Sequence, residues 1–151
     1  MLTLNHLIGR QAKENPRAAA LAQRGQTTTY EELSQQVERW ASVLAGRGVK
    51  AGSTFGLVMR NCPEFIVAYF ALSRLGAVAV PINFMVQKAD ELAYMLRDCK
   101  ALGVVTQREF IKGLRGAAQK APTLKTLWVT DYSAAADNTP HTLSKPDLAA
   151  P

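Results

Sequence analysis

Hydrophobic residues recur along this chain first at helical spacing and then in short blocks separated by helical stretches. Leu4, Leu7 and Ile8, with Gln11 in the same period, outline one face of a helix. The spacing predicts a helix capped by Thr3 and ended near Asn15-Pro16, because the residue before a proline is pushed out of helical backbone. AAALAQRGQTTTY then holds two extended runs about Arg24-Gly25-Gln26, the signal of a hairpin. The stretch TTTYEEL, Thr27 to Leu33, sets Thr29 three residues ahead of Glu32. That is a capping box, in which each side chain satisfies a backbone N–H that the first helical turn leaves without a partner. Leu33, Val37, Trp40 and Leu44 continue at helical spacing, so a helix is expected from Tyr30 to Arg47, stopped where Gly46 and Gly48 tolerate a left-handed cap.

Beyond VKAGS the pattern alternates. TFGLVM, residues 54 to 59, is an apolar run of strand length. Asn61 is expected to cap the next helix, with Pro63 in its first turn and Glu64 at the third position. Phe65, Ile66, Tyr69, Phe70, Leu72 and Leu75 occupy more than one face of that helix, which predicts burial on most sides. Gly76 ends it, and AVAVPI, residues 77 to 82, reads as a second buried strand. Asp90 to Cys99 is helical by the spacing of Leu92, Leu96 and Cys99; ALGVVT is a third strand, REFIKGLRGAAQKA a further helix before Pro122, and TLWVT, residues 126 to 130, a fourth strand. Strands and helices in strict alternation, joined by short connections, are the signature of βαβ units on a parallel sheet. From Asp131 the periodicity stops, and DYSAAADNTPHTLSKPDLAAP reads as a linker or a truncated tail.

Composition narrows the class. At 151 residues the chain is about one domain, and 48% hydrophobic with 20% charged residues is ordinary for a globular protein. The net charge of +6 arises from 18 basic residues scattered without a block. A solvated basic surface explains it better than a nucleic-acid footprint, and a mildly positive field also suits a phosphorylated ligand. Residues 65 to 82 are the nearest thing to a membrane span, but Arg74 interrupts them at a cost of about 2.5–3.5 kcal/mol, and Gly76 and Pro81 break the run. MLTLNHLIGR lacks the features of a signal peptide, so the cytoplasm is the expected compartment.

Motif chemistry is absent. There is no G-x-x-x-x-G-K-[ST], no G-x-G-x-x-G after a strand, no G-x-S-x-G and no H-E-x-x-H. Cys62 and Cys99 stand apart from each other and from His6 and His141, which argues against a metal site or a disulfide. Glu31, Glu32, Glu38, Glu64 and Glu91 read as caps or solvated helix faces, and Phe65, Tyr69 and Phe70 as core.

The segment from TTTYEEL through GAVAVPIN, with the later KADELAYMLRDCKALGVVT, resembles the N-terminal portion of the adenylate-forming acyl-CoA synthetases, or AMP-binding ligases, from about Leu2 to Thr130. Its most specific residues are Thr29, Tyr30, Glu32 and Leu33 of a T-Y-x-E-L stretch, and Arg74-Leu75-Gly76-Ala77-Val78 followed by Val80-Pro81-Ile82-Asn83. These are structural core motifs of the family. Ile82-Asn83 and DELAYML, Asp90 to Leu96, are more similar to the acyl-CoA ligases than to the amino-acid-activating domains of peptide synthetases, whose equivalent stretch reads P-L-D-P. Intact family members are several times longer. Their Ser/Thr/Gly-rich phosphate loop ending in Pro-Lys, Tyr-Gly-x-Thr-Glu segment, hinge Asp and catalytic Lys lie downstream, and none occurs here.

The resemblance implies an α/β fold, the parallel-sheet βαβ layers of the N-terminal subdomain of such a ligase, truncated. Residues 1–130 are its expected α/β portion and 131–151 a linker or tail. The intact parent is expected to use ATP, Mg²⁺ and coenzyme A to activate a carboxylic acid as an acyl-adenylate and pass it to the thiol. A fatty acid is the expected class, with an aryl acid left open. Within these residues no catalytic, cofactor-binding or metal-binding side chain is assigned; Thr29, Tyr30, Glu32, Leu33, Gly76, Pro81 and Asn83 are expected to be structural. Expected partners are the remainder of the parent chain and a second copy through an uncovered apolar face, with neither nucleic acid nor a transmembrane segment. A free-standing interaction module built on the same fold is the alternative.

Overall fold

The structure is a computed structural model and describes residues 4–131 and 139–144. In chain order its elements are α1 (Leu4–Glu14), β1 (Ala19–Gln23), β2 (Gln26–Thr29), α2 (Tyr30–Gly46), β3 (Thr54–Val58), α3 (Pro63–Arg74) and β4 (Val78–Pro81). There follow α4 (Ala89–Asp98), β5 (Gly103–Thr106), a 3₁₀ turn (Arg108–Phe110), α5 (Ile111–Ala118), β6 (Thr126–Val129) and β7 (His141–Ser144). The chain forms two compact units: Met1–Ala51 with Asn61–Ala77, and Gly52–Arg60 with Val78–Pro151. The expected Thr3 cap lies outside the described residues.

In the first unit, Arg24 (φ 50°) and Gly25 (φ 77°) make the tight turn between antiparallel β1 and β2, so Gln26 belongs to the strand rather than to the turn. A pair of positive φ values matches the twist of the two strands. Thr29 caps α2 as its spacing foretells: the Glu32 N–H donates to Thr29 Oγ1 at 3.3 Å, and the Thr29 N–H donates to Glu32 Oε2 at 2.8 Å. Leu33, Val37, Trp40, Ala41 and Leu44 form the buried stripe of α2. On α3, by contrast, the buried positions are Val67, Ala68, Ala71 and Leu72, while Phe65, Ile66, Tyr69 and Phe70 are only half-buried. The expectation of burial on most sides is thus corrected to one buried stripe. Its cap is corrected too. Cys62, not Asn61, is the N-cap, because Pro63 at the first helical position forces the residue before it into extended backbone (φ −153°).

The second unit holds a five-stranded sheet in the order β4-β3-β5-β6-β7, parallel except for β7, which runs antiparallel to β6. The α/β fold with a parallel sheet is therefore the observed one. On one face Val58, Val104, Leu127 and Val129 pack with Ile82 and with Leu92, Leu96, Leu114 and Ala117 of α4 and α5. Gly56 lies on this face, and a Cβ there would meet Leu96, Val104 and Ile82 side chains at 3.3–3.4 Å. On the other face Phe55, Leu57, Val105 and Trp128 are buried, with the Phe55 and Trp128 rings stacked at 4.8 Å. Gly103 sits between Phe55 and Thr126 in the register, and a Cβ on it would come within 2.8 Å of both.

Two expectations for the strands change. Residues 77 to 82 do not form a buried strand: β4 is an edge, with Val78 49% exposed. The Val78 N–H donates to Ser53 C=O at 2.7 Å and the Ile82 N–H to Leu57 C=O at 2.9 Å, so alternate residues face β3. Pro81 falls on the other parity, where a missing N–H removes no ladder bond. The expected linker also contains β7, whose Leu143 is buried and opposes Leu127. One apolar residue in a four-residue strand leaves too little periodicity to be seen in sequence.

Three helices end the same way. At the ends of α2, α3 and α4 the N–H groups of Val49, Ala77 and Ala101 donate to the carbonyls of Leu44, Leu72 and Leu96 at 3.1 Å, 3.0 Å and 2.9 Å. The residue before each acceptor's partner has positive φ: Gly48 (87°), Gly76 (70°) and Lys100 (53°). This is the Schellman cap, normally closed by glycine because a Cβ crowds the left-handed conformation. Lys100→Gly is expected to stabilise the protein by about 0.5–1 kcal/mol, the relief of strain exceeding the extra freedom of the unfolded chain. The urea midpoint at neutral pH measures it.

Candidate functional site

In a parallel sheet of this order β4 and β5 flank β3 on opposite sides, so the connections leaving β3 and β5 diverge at the carboxyl ends of the strands. Crevices at such points are where open α/β sheets bind ligands. Here the crevice is built from the ends of β3 and β5 and the loop after β4. The buried Thr106 hydroxyl donates to Val58 C=O at 2.8 Å, tying the last residues of β5 and β3. One step further, the Arg60 N–H donates to the Gln107 side-chain carbonyl at 2.9 Å. The Arg60 guanidinium then grips Glu109 through both oxygens, at 2.6 and 2.8 Å, and lies 5.2 Å over the Phe84 ring. Phe84 in turn meets Phe110 at 6.2 Å.

Asn83 shapes the third wall. Its side-chain oxygen accepts from the Met85 N–H at 3.0 Å and its carbonyl from the Val86 N–H at 3.0 Å, turning the chain immediately after β4. Gly113 and Gly116 bring α5 close to the start of α4: a Cβ on Gly113 would come within 2.8 Å of Gln87 O, and one on Gly116 within 2.9 Å of the Ala89 Cβ. Between these walls is a cavity of about 320 Å³ lined by Val58, Val86, Gln87, Ala89, Leu92, Glu109, Phe110, Lys112 and Gly113.

Hydrogen bonding from Arg60 holds the Glu109 carboxyl below its ordinary range, and the same contact raises Arg60. Burial pushes the Cys62 thiol up to about 11 and also raises Cys99, so neither is a ready nucleophile. Among the described residues no three His, Cys, Asp or Glu side chains converge as a metal site, and no helix is long and apolar enough to cross a membrane. The loops after β3 and β5 carry no glycine-rich turn of backbone N–H groups, so the described residues do not by themselves fit a nucleoside triphosphate with its magnesium ion.

The motif residues singled out in sequence do not form this site. Thr29, Tyr30, Glu32, Leu33 and Gly76 belong to the first unit, the first four at the start of α2 and Gly76 in the cap of α3. Pro81 and Asn83 belong to the second, at the end of β4 and its turn. Asn83 alone helps to build the crevice. Arg60, Glu109 and Lys112 were missed; strand order was the signal that would have found them, and it is not written in local periodicity.

Residues 8–150 match the family described as AMP-binding enzyme. The chain belongs to that family. A crotonobetaine/carnitine–CoA ligase of Escherichia coli is 33% identical to it over 111 residues, which are 73% of this chain and 21% of that protein. A fatty acyl CoA synthetase of Mycobacterium tuberculosis shares the fold with a TM-score of 0.78 at 27% identity, over 89% of this chain and 27% of the other. The anthranilate CoA ligase AuaEII, solved with anthranoyl-AMP, gives a TM-score of 0.77 at 27% identity, over 83% and 24%. The chain thus spans about a fifth of the length of the curated relatives it matches.

Protonating Glu109 releases the fork that Arg60 makes. Because its carboxyl is lowered in the folded state, the pair stabilises the fold above the ordinary carboxylate range and is lost as pH falls through the lowered value. Glu109→Gln is therefore expected to be less stable than the parent at neutral pH, with the gap closing under acid. Urea midpoints across an acid-to-neutral pH series check this; a gap that stays constant would contradict it.

Proposed function

We propose that these residues are the N-terminal part of an ATP-dependent acid–thiol ligase, which joins a carboxylic acid, a fatty acid in the first instance, to coenzyme A through an acyl-adenylate in the cytoplasm. The carrying observation is the family match over residues 8–150 together with relatives that are CoA ligases several times longer. Acyl-adenylate formation places negative charge on the α-phosphate and the departing pyrophosphate, and that transition state requires cationic and backbone donors around the phosphates. The crevice of the second unit offers an arginine already committed to Glu109 and one exposed lysine. ATP, Mg²⁺ and coenzyme A are accordingly cofactors of the longer enzyme, and the 151 residues alone are inactive.

Mixed with ATP, Mg²⁺, coenzyme A and a panel of fatty and aryl acids, the 151-residue chain is expected to release no pyrophosphate above a protein-free control. Acid-dependent release would refute the claim of inactivity.

Its partners on this reading are the polypeptide that follows in the longer relatives and, for these residues by themselves, a second copy; nucleic acid is not among them. Val78, Met85 and Tyr94 are 49%, 75% and 64% exposed, and covering such side chains is what a second copy would gain. Light scattering over a concentration series is expected to show growth of mass with concentration. A strict monomer at high concentration would contradict the self-association and favour a free-standing module.

A further inference from the structure

We propose that the groove between α1 and α2 in the first unit is an interface between two copies of this chain, in which Lys13 of each copy pairs with Glu31 of the other across a two-fold axis. The proposal goes beyond the ligase reading and does not depend on it, because association without any turnover satisfies it. It also names a face separate from the exposed apolar side chains of the second unit.

Small residues set the shape. Gly9 and Ala12 of α1 and Ser34 of α2 leave an open groove of about 420 Å³. A Cβ on Gly9 would meet nothing within 4 Å, so no side chain of the chain itself covers that part of α1. Pockets for small molecules are lined mostly by apolar side chains, whereas Lys13, Glu31, Glu38 and Arg74 put four charges on this groove. A lining of that kind belongs to the polar part of a protein–protein interface.

Charge sets the partner. Of the four, Glu38 and Arg74 are committed to each other. Lys13 and Glu31 line the same groove, yet among the described residues neither pairs with the other or with any third charge. Their neighbours in sequence are taken: Arg10 holds Glu14 at 3.6 Å, and Glu32 closes the Thr29 cap. Each stands where its own helix favours its charge, Lys13 in the last turn of α1 and Glu31 in the first turn of α2. The face therefore carries one unmatched positive and one unmatched negative charge, and it is its own complement. Rotation about a two-fold axis between them lays the lysine of each copy against the glutamate of the other, so that every pair is made twice. A ligand of a single charge would match one of the two and leave the other.

The decisive experiment measures the mass of the 151-residue chain by sedimentation equilibrium over a concentration series, for the parent, Lys13→Glu, Glu31→Lys and the double swap that carries both. The parent is expected to move from monomer toward dimer, with association weakening several-fold between about 0.05 and 0.5 M salt. Each single reversal sets like charges against each other twice and is expected to weaken association about tenfold or more. The double swap recreates both pairs and is expected to restore association to within about threefold of the parent. The proposal is overturned by a parent that stays monomeric, by association that salt does not weaken, by single variants that associate as tightly as the parent, or by a double swap no tighter than the singles. Association through the apolar side chains of the second unit alone would persist unchanged in both single variants, and the pyrophosphate assay tests the ligase reading separately. If one single reversal disturbs the fold, the other and the double swap decide.

Discussion

The second unit depends on β3 being paired in parallel along both of its edges. Thr54–Leu57 match Val78–Pro81 on one side and Phe55–Val58 match Gly103–Thr106 on the other. Both faces of this central strand are covered as well, so Phe55, Leu57 and Val58 are all buried, and its one small residue, Gly56, admits the Leu96 side chain from α4. The same enclosure forces the chain leaving β4 to return on the far side of β3 before it can form β5. From that crossing comes the divergence of loops at the carboxyl edge, and with it the crevice. Thr106, Arg60 and Glu109 then hold the edge together across 48 and 49 residues of sequence. A surface ion pair contributes little on its own. This one is bidentate and lies over an aromatic ring, so it adds geometry more than energy: it fixes where the loops after β3, β4 and β5 stand relative to one another.

Local signals were read well because their physics is local. The capping box at Thr29 needs only residues three apart, and the helix ends at Gly48 and Gly76 need only a residue that tolerates positive φ. Strand and helix order followed from the length and period of apolar runs. What escaped was long-range or borderline. The N-cap slipped from Asn61 to Cys62 because the demand of Pro63 on its predecessor outweighs the cap preference of asparagine. The edge position of β4 escaped because Val-Ala-Val-Pro is as apolar as a buried strand, and only its proline hinted otherwise. The Lys100 cap escaped because lysine is not a residue that advertises a left-handed turn. The crevice required the strand order, which no window of sequence contains.

The residues that mark the family explain themselves in backbone terms. Thr29 and Glu32 close a helix start, Gly76 occupies a left-handed cap where a Cβ would also press on Ala51 at 3.1 Å, Pro81 sits where an edge strand has no use for an N–H, and Asn83 folds its side chain onto the next turn. Each of these positions has a part in the path of the chain, and Asn83 also shapes the crevice. Kinship is therefore legible from such residues, and substrate is not.

The side chains that face the crevice obey a different constraint. Lys112 is exposed at an ordinary helical position, so the fold would accept many other residues in its place, whereas Arg60, equally exposed, is held by Glu109. Loops carried by a rigid sheet are where binding specificity is altered at least expense to stability. In this chain the freedom is used asymmetrically: the arginine is matched to a carboxylate of the chain itself, whereas Lys112, three residues along from that carboxylate, lines the cavity with no carboxylate of the described residues paired to it.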